Sequence, residues 1–214
     1  MTVQPLETVA LIPVRSLSGA KSRLGETLDA EERADLILAM LRRTVEQAIQ
    51  ASLVSRVLVV SSDDGLLDEA RALGATPVRQ DGDGLNAALD HARAATGRGV
   101  GAVLVVPTDL PCVSAAALDG LVEAAAAAVS AEPGKAVVVL VPDQHGLGTN
   151  ALLIAPPDTI SFRFGEGSRM DHAAAAAAAG ASYVELNSPL AFDIDTPDDL
   201  LEADRLGLGH EAGR

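Results

Sequence analysis

The residues able to do chemistry gather in a few short stretches. In "VLVVPTDLP" the apolar run Val103 to Val106 ends in Pro107, Thr108 and a carboxylate, Asp109. An acid on a stiff turn after a buried strand is either a helix cap or a metal ligand. Ser114 lies closer to the next helix and fills the cap role better, which leaves Asp109 for a cation. Mg2+ is typically held by one or two carboxylates plus substrate phosphates and water. "FDIDTPDDL" supplies partners, because Asp193 and Asp195 alternate with Ile194, and a strand would point both acids to one face. Thr196 as N-cap, Pro197 at the first helical position and Asp199 two residues on complete the next helix without either acid. Two carboxylates on one face repel unless a cation or donors compensate. The expectation is a divalent-metal site of Asp109, Asp193 and Asp195; the alternative is a solvent-facing edge strand.

The complementary charge sits in "IPVRSLSGAKSRL", where Arg15, Lys21 and Arg23 stand among Ser16, Ser18, Gly19 and Ser22. A loop between a strand and a helix can offer N–H groups to phosphate, with Lys and Arg adding charge. It is neither a Walker loop nor a dinucleotide fingerprint; the bland alternative is a solvated basic loop. "DQHGLGTNAL" places Thr149 and Asn150 after a glycine-bearing turn, as donors into a cleft. "FRFGEGSRMDH" sets Arg163, Gly165, Ser168 and Arg169 before a helix, an arrangement suited to an anion. His172 is read as a ligand contact or a surface helix histidine. Asn86, in "DGLNAAL", serves a nucleobase edge or a helix cap. Cys112 is read as a structural thiol, with a catalytic thiol as the alternative.

The elements that must position these groups alternate along the chain. Strands are expected over 8–14, 55–62, 75–80, the "GAVLVVPT" run, 135–143, 149–155, 181–186 and 190–195. Helices are expected from an Asp29 cap, with Glu32 closing a capping box, to about 51, and over 64–73, 85–96, 114–130, 167–179 and 197–206. Leu36, Met40, Leu41, Val45 and Ile49 mark the buried stripe of the first helix. The alanine runs 124–128 and 173–179 read as surface helices lying close to a sheet. This order describes one doubly wound α/β domain over residues 1–214, a mixed, mostly parallel sheet with helices on both faces.

Bulk composition sets limits. Apolar residues make up 48 % of 214, yet only three Phe and one Tyr are aromatic. The core is therefore built from Val, Leu, Ile and Ala. A net charge of −14 argues against a nucleic-acid or anionic-membrane surface, but leaves room for an anionic small substrate. One cysteine allows no intrachain disulfide, which fits a reducing cytoplasm. No segment reads as a signal peptide or reaches transmembrane length.

Together "IPVRSLSGAKSRL", "GLNAAL", "PTDLP", "DQHGLGTNAL", "FRFGEGSRMDH" and "FDIDTPDDL" resemble the MobA-like nucleotidyltransferases of glycosyltransferase-A-like fold. More narrowly they resemble the 2-phospho-L-lactate/phosphoenolpyruvate guanylyltransferases of coenzyme F420 biosynthesis. The resemblance implies that GTP is joined to a phosphorylated three-carbon acid with release of pyrophosphate, in the cytoplasm and with Mg2+. It implies that Arg15, Lys21 and Arg23 hold the GTP phosphates, with Arg15, Lys21 and Asp109 acting catalytically. Gly84, Leu85 and Asn86 would touch the base, and Asp109 and Asp193, with Asp195, would bind Mg2+. Thr149, Gly165 and Ser168 would receive the acid. A homodimer and the next enzyme of the pathway are the implied protein partners. The chain departs from the pattern at Thr108, where many relatives carry Gly, and at Arg169, where an aromatic or small residue is common. The acceptor is expected to be phosphoenolpyruvate, with 2-phospho-L-lactate or 3-phospho-D-glycerate as alternatives. Rival readings are another MobA-like transferase, which would open on paired glycines, and a nucleotide-sensing domain, which would have lost a metal carboxylate.

Overall fold

A computed structural model describes residues 6–14, 27–80, 82, 84–206 and 208. Among these residues seven strands form one sheet: β1 (Thr8–Pro13), β2 (Val54–Ser61), β3 (Thr76–Arg79), β4 (Ala102–Val105), β5 (Val137–Pro142), β6 (Thr149–Ala155) and β7 (Ser182–Glu185). Their order across the sheet is β3-β2-β1-β4-β6-β5-β7. Only β6 runs against its neighbours; the pairings among β1 to β4, and of β5 with β7, are parallel.

Among the described residues six helices cover both faces: α1 (Ala30–Gln50), α2 (Asp64–Ala72), α3 (Leu85–Ala95), α4 (Ala115–Ala131), α5 (Ser168–Ala178) and α6 (Pro197–Arg205). Val, Leu, Ile and Ala side chains of α1, α2, α4 and α6 fill one face. Leu89 and Ala92 of α3, Ala176 of α5 and Phe162 fill the other. The strands facing both layers are unbroken apolar runs, as sheets covered on both sides require: β1 and β4 are wholly buried. The sheet and its two helical layers match the doubly wound expectation.

The helix starts follow local chemistry. The Asp29 carboxylate accepts from the amides of Glu31 and Glu32, while Glu32 accepts from the Asp29 amide at 2.8 Å, a closed capping box. Ser114 caps α4 and Thr196 caps α6, where Pro197 stands at the first position and Asp199 closes a second box. Of the stripe expected on α1, Ile49 is 46 % exposed while the other four are buried. Ile49 stands one residue before the end of α1, whose last turn still buries Ala48.

The expected strand over 190–195 does not form. Ser188 caps a single 3-10 turn, Pro189–Ala191, and residues 192–196 are irregular. The alternation of Phe192, Asp193, Ile194 and Asp195 imitates a strand, but the carbonyls of Leu190 and Ala191 accept from the Asn150 amide at 3.0 and 2.9 Å. Backbone groups diverted to a side chain cannot build a ladder.

Candidate active site

The carboxyl ends of β1, β2, β4 and β5 share one edge, where open α/β sheets carry their ligand crevice. Because β6 is antiparallel, its first residues lie on that same edge, with Leu152 beside Val105 and Thr149 beside Pro142.

Asp109 is half-buried on the turn after β4. The Ile194 amide donates to the Asp109 carbonyl at 2.9 Å, which draws the 193–195 segment against that turn. The half-buried Asp193 carboxylate accepts from the Asn150 amide at 3.2 Å; Asp195 is exposed, and its amide donates to Asp199 at 3.1 Å. Gln144 reaches across to the Asp199 carboxylate at 3.2 Å, tying the β5–β6 turn to this wall. Neither Asp109 nor the 193–195 pair is consumed as a helix cap, since Ser114 and Thr196 do that work. Among the described residues, no three His, Cys, Asp or Glu side chains are gathered as a ready metal cluster. The donor set is two carboxylate segments joined by a backbone bond, all hard oxygen. That fits Mg2+, which takes few protein ligands and completes its shell with phosphates and water.

A bulge organises the start of β6. Val141 pairs with Ala151, but Pro142 pairs with Thr149, so Asn150 is the extra residue. Ala151 faces the α1/α4 layer and Leu152 the α3/α5 layer. Regular alternation would turn Asn150 toward α5; the bulge turns it toward the 190–193 segment and sends Thr149 toward α5.

On that second side the polar groups are buried and neutral. The His172 Nδ1 lies 3.1 Å from the Thr149 hydroxyl, and the Ser168 hydroxyl donates to the same oxygen at 3.1 Å. The Arg163 amide donates to His172 Nε2 at 3.0 Å. Nε2 is therefore unprotonated, and the neutral ring carries its proton on Nδ1. Burial pushes the His172 pKa down to about 4; Asp171 pulls it up, and Arg163 adds to the depression. His172 is no surface histidine: with Ser168 and Ala176 it forms the buried face of α5. That spacing of four is the signal that would have found it.

Asn86 does not cap α3, whose N-cap is Gly84 at φ 95°. Its amide donates to the Phe164 carbonyl at 3.0 Å and accepts from the Phe164 amide at 2.8 Å. The edge expected to meet a nucleobase thus clamps the β6–α5 loop, next to the Gly84–Leu85 turn. The anion site expected at the start of α5 is largely self-satisfied. The amides of Ser168, Arg169 and Met170 donate to Gly165, Leu147 and Gly167 carbonyls. Arg169 makes a bidentate pair with Glu185, at 2.9 and 2.8 Å, and donates to the Gly146 carbonyl. Open backbone remains at Gly165, φ 142°, where an added Cβ would meet no atom of the described residues within 4 Å. Arg163 is exposed beside it. Burial pushes the Cys112 thiol up, against a weaker opposite pull from Arg43, which keeps it protonated rather than nucleophilic. Arg15, Lys21 and Arg23 lie outside the described residues.

The comparisons agree with this architecture. A nucleotidyl transferase from Methanothermobacter thermautotrophicus superposes with a TM-score of 0.64 at 17 % identity, covering 94 % of this chain and 97 % of that one. A 4-diphosphocytidyl-2C-methyl-D-erythritol synthase from Anaerococcus prevotii gives 0.61 at 10 % identity, covering 95 % and 99 %. Those likenesses place the fold among the glycosyltransferase-A-like nucleotidyltransferases. The phosphoenolpyruvate guanylyltransferase of Rubrobacter xylanophilus is 44 % identical over 204 residues, 94 % of this chain and 96 % of its own. The 2-phospho-L-lactate guanylyltransferase of Methanothermobacter thermautotrophicus is 35 % identical, covering 97 % and 88 %. The family model described as "Guanylyl transferase CofC like" matches residues 8–212. The chain therefore belongs to the CofC-like guanylyl transferase family.

Proposed function

We propose that this chain joins GTP to phosphoenolpyruvate with release of pyrophosphate, in coenzyme F420 biosynthesis. A phosphate oxygen of the acid forms a bond to the α-phosphorus of GTP. The bond from that phosphorus to the oxygen bridging to the β-phosphate breaks, and pyrophosphate leaves with the electron pair. The attacking phosphate is already ionised near neutral pH, so no general base is required. His172 accords with that: burial keeps it neutral, and both ring nitrogens are engaged by the protein.

The site's task is to hold two anions in line and offset their charge. In this reading Arg15, Lys21 and Arg23 grip the GTP phosphates, and the Gly84–Leu85 turn faces the base. Thr149, Gly165 and Ser168 shape the pocket for the acid, with Arg163 adding charge at its mouth. Asp109 and Asp193, with Asp195, would hold Mg2+, which when bound would neutralise phosphate charge and orient the triphosphate. The observation that carries the proposal is the bond from the Ile194 amide to the Asp109 carbonyl. It sets two acidic segments side by side at the crevice of a family fold whose relatives bear guanylyltransferase names. Phosphoenolpyruvate is favoured over 2-phospho-L-lactate because the relative named for it is 44 % identical, against 35 %.

The test is a pyrophosphate-release assay that crosses the four nucleoside triphosphates with phosphoenolpyruvate, 2-phospho-L-lactate and 3-phospho-D-glycerate, with and without Mg2+. GTP with phosphoenolpyruvate and Mg2+ is expected to turn over fastest. Silence in every combination overturns the proposal; a faster reaction with another acid replaces the acceptor alone.

A further inference from the structure

The loop that shapes the acceptor pocket is held from beneath by two side chains that the proposed chemistry does not use. His172 Nε2 takes the amide of Arg163, and Asn86 takes both polar backbone atoms of Phe164. Two consecutive residues of the β6–α5 loop are thereby pinned, one from α5 and one from α3. The other face of the same imidazole lies against the Thr149 hydroxyl, which also accepts from Ser168. The Phe164 ring meets the His172 ring edge-on, 5.1 Å between centroids.

We infer that His172, with Asn86, is a positioning residue for the acceptor: it fixes the 162–168 loop and the Thr149 hydroxyl in the shape that receives the three-carbon acid. The physical argument is one of alternatives. The Arg163 N–H meets the ring in a part-buried contact, so losing its acceptor leaves a donor unmade at the base of the loop. The loop then moves to satisfy that amide elsewhere. Thr149 is affected from the other side. Its oxygen accepts from both His172 Nδ1–H and Ser168, so its own hydrogen is free to point away from α5. Only the tautomer with the proton on Nδ1 serves both contacts, and the Arg163 amide selects that tautomer. Asn86 adds a link between substrates, because it stands two residues from Gly84, on the turn assigned to the guanine base.

This inference rests on the acceptor assignment above, and the experiment separates the two. Wild type, His172→Gln, His172→Asn, His172→Ala and Asn86→Ala are compared by steady-state kinetics and by amide hydrogen exchange of the 160–168 segment. A glutamine on α5 carries its oxygen to about where Nε2 lies and keeps the Arg163 bond; an asparagine reaches only the Nδ1 position. Expected for His172→Ala and His172→Asn is a rise of about tenfold in the KM for phosphoenolpyruvate, with the KM for GTP changed less than about twofold. Amide exchange at Arg163 and Phe164 is expected to quicken in both. His172→Gln should restore both readouts toward wild type. Asn86→Ala should quicken exchange at Phe164 and raise both KM values. Variants whose exchange and acid KM match wild type, or in which Gln behaves as Ala does, overturn the inference. Wild type that turns over none of the acids overturns the acceptor assignment instead. In that case unchanged exchange at Arg163 and Phe164 in His172→Ala removes the clamp as well.

Discussion

The start of β6 divides the site into two regions built by opposite rules. On the Asn150 side, carboxylates stand half-buried or exposed, and their positions are set by backbone bonds and one amide. On the Thr149 side, Thr149, Ser168 and His172 are buried, and their contacts join neutral groups. One inserted residue sends neighbours in sequence to these two environments. Under the proposed function, this difference is how one site would take both a cation and an anion. A wall for a cation keeps its charge in reach of water until the ion arrives, since burying a carboxylate favours its protonated form. A wall for an anion gains nothing from a titrating group. In that reading it works by holding dipoles still, with the exposed Arg163 adding charge at its mouth.

The largest effect that would sharpen this comparison is on the charged side. Asp109→Asn and Asp193→Asn keep size and remove charge. Each is expected to lower pyrophosphate release by a hundredfold or more, on the order of the loss of a principal electrostatic stabiliser. Thermal unfolding should shift little, because neither residue caps a helix. Turnover close to wild type in either variant would remove that acid from the mechanism. It would leave the charged wall with a structural part alone.

The second effect belongs to the neutral side and is read in stability. The His172 pKa is about 4 in the fold and about 6.5 in an unfolded chain. Between those values the unfolded chain binds the proton and the folded one does not, so stability rises with pH through that window. Acidification from pH 7 to 4 is expected to cost about 3 kcal/mol through this group alone, with little further loss below pH 4. Urea unfolding at stepped pH measures it. His172→Gln should flatten the slope between pH 4 and 6.5. An unaltered slope would place the acid sensitivity elsewhere and contradict a neutral, buried wall.

Legibility in the sequence follows the same division. The doubly wound fold, the Asp29–Glu32 box and the Ser114 and Thr196 caps were readable because each depends on residues within a few positions. The expected last strand fails because Phe192–Asp195 alternate as a strand would, while the group that unmakes it, Asn150, is some forty positions away. The sequence leaves His172 open between ligand and surface because it sits in an alanine-rich helix with charged neighbours. Small alanines are what let that helix lie on the sheet. The bulge at Asn150 has no local signature at all. It is a property of pairing with β5, and it decides which wall each of two adjacent residues joins.

Asn150→Ala tests the division directly. The substitution removes donors from the Leu190 and Ala191 carbonyls and from Asp193. Leaving those acceptors unmade is expected to cost about 1–3 kcal/mol of stability. It should also lower kcat by loosening Asp193, with the KM for the acid unchanged. A rise in acid KM matching that of His172→Ala would mean that the two walls move as one, and the comparison would break.

The smallest expected effect concerns the one thiol, which lies on the charged side three residues after Asp109. A catalytic cysteine needs a lowered pKa, from a helix N-terminus, a cation or a metal. Burial does the reverse to Cys112, and the Arg43 charge is the lesser influence. The thiol is also held on a turn whose next residues, Val113 and Ser114, are fixed by the core and by the α4 cap. Cys112→Ala should therefore leave turnover within about twofold, the range expected for a surface or partly buried substitution that breaks no network. Iodoacetamide at pH 7 should modify the wild-type thiol far more slowly than free cysteine. Rapid alkylation with loss of turnover would mean a reactive group on a wall that otherwise works through carboxylates and backbone alone.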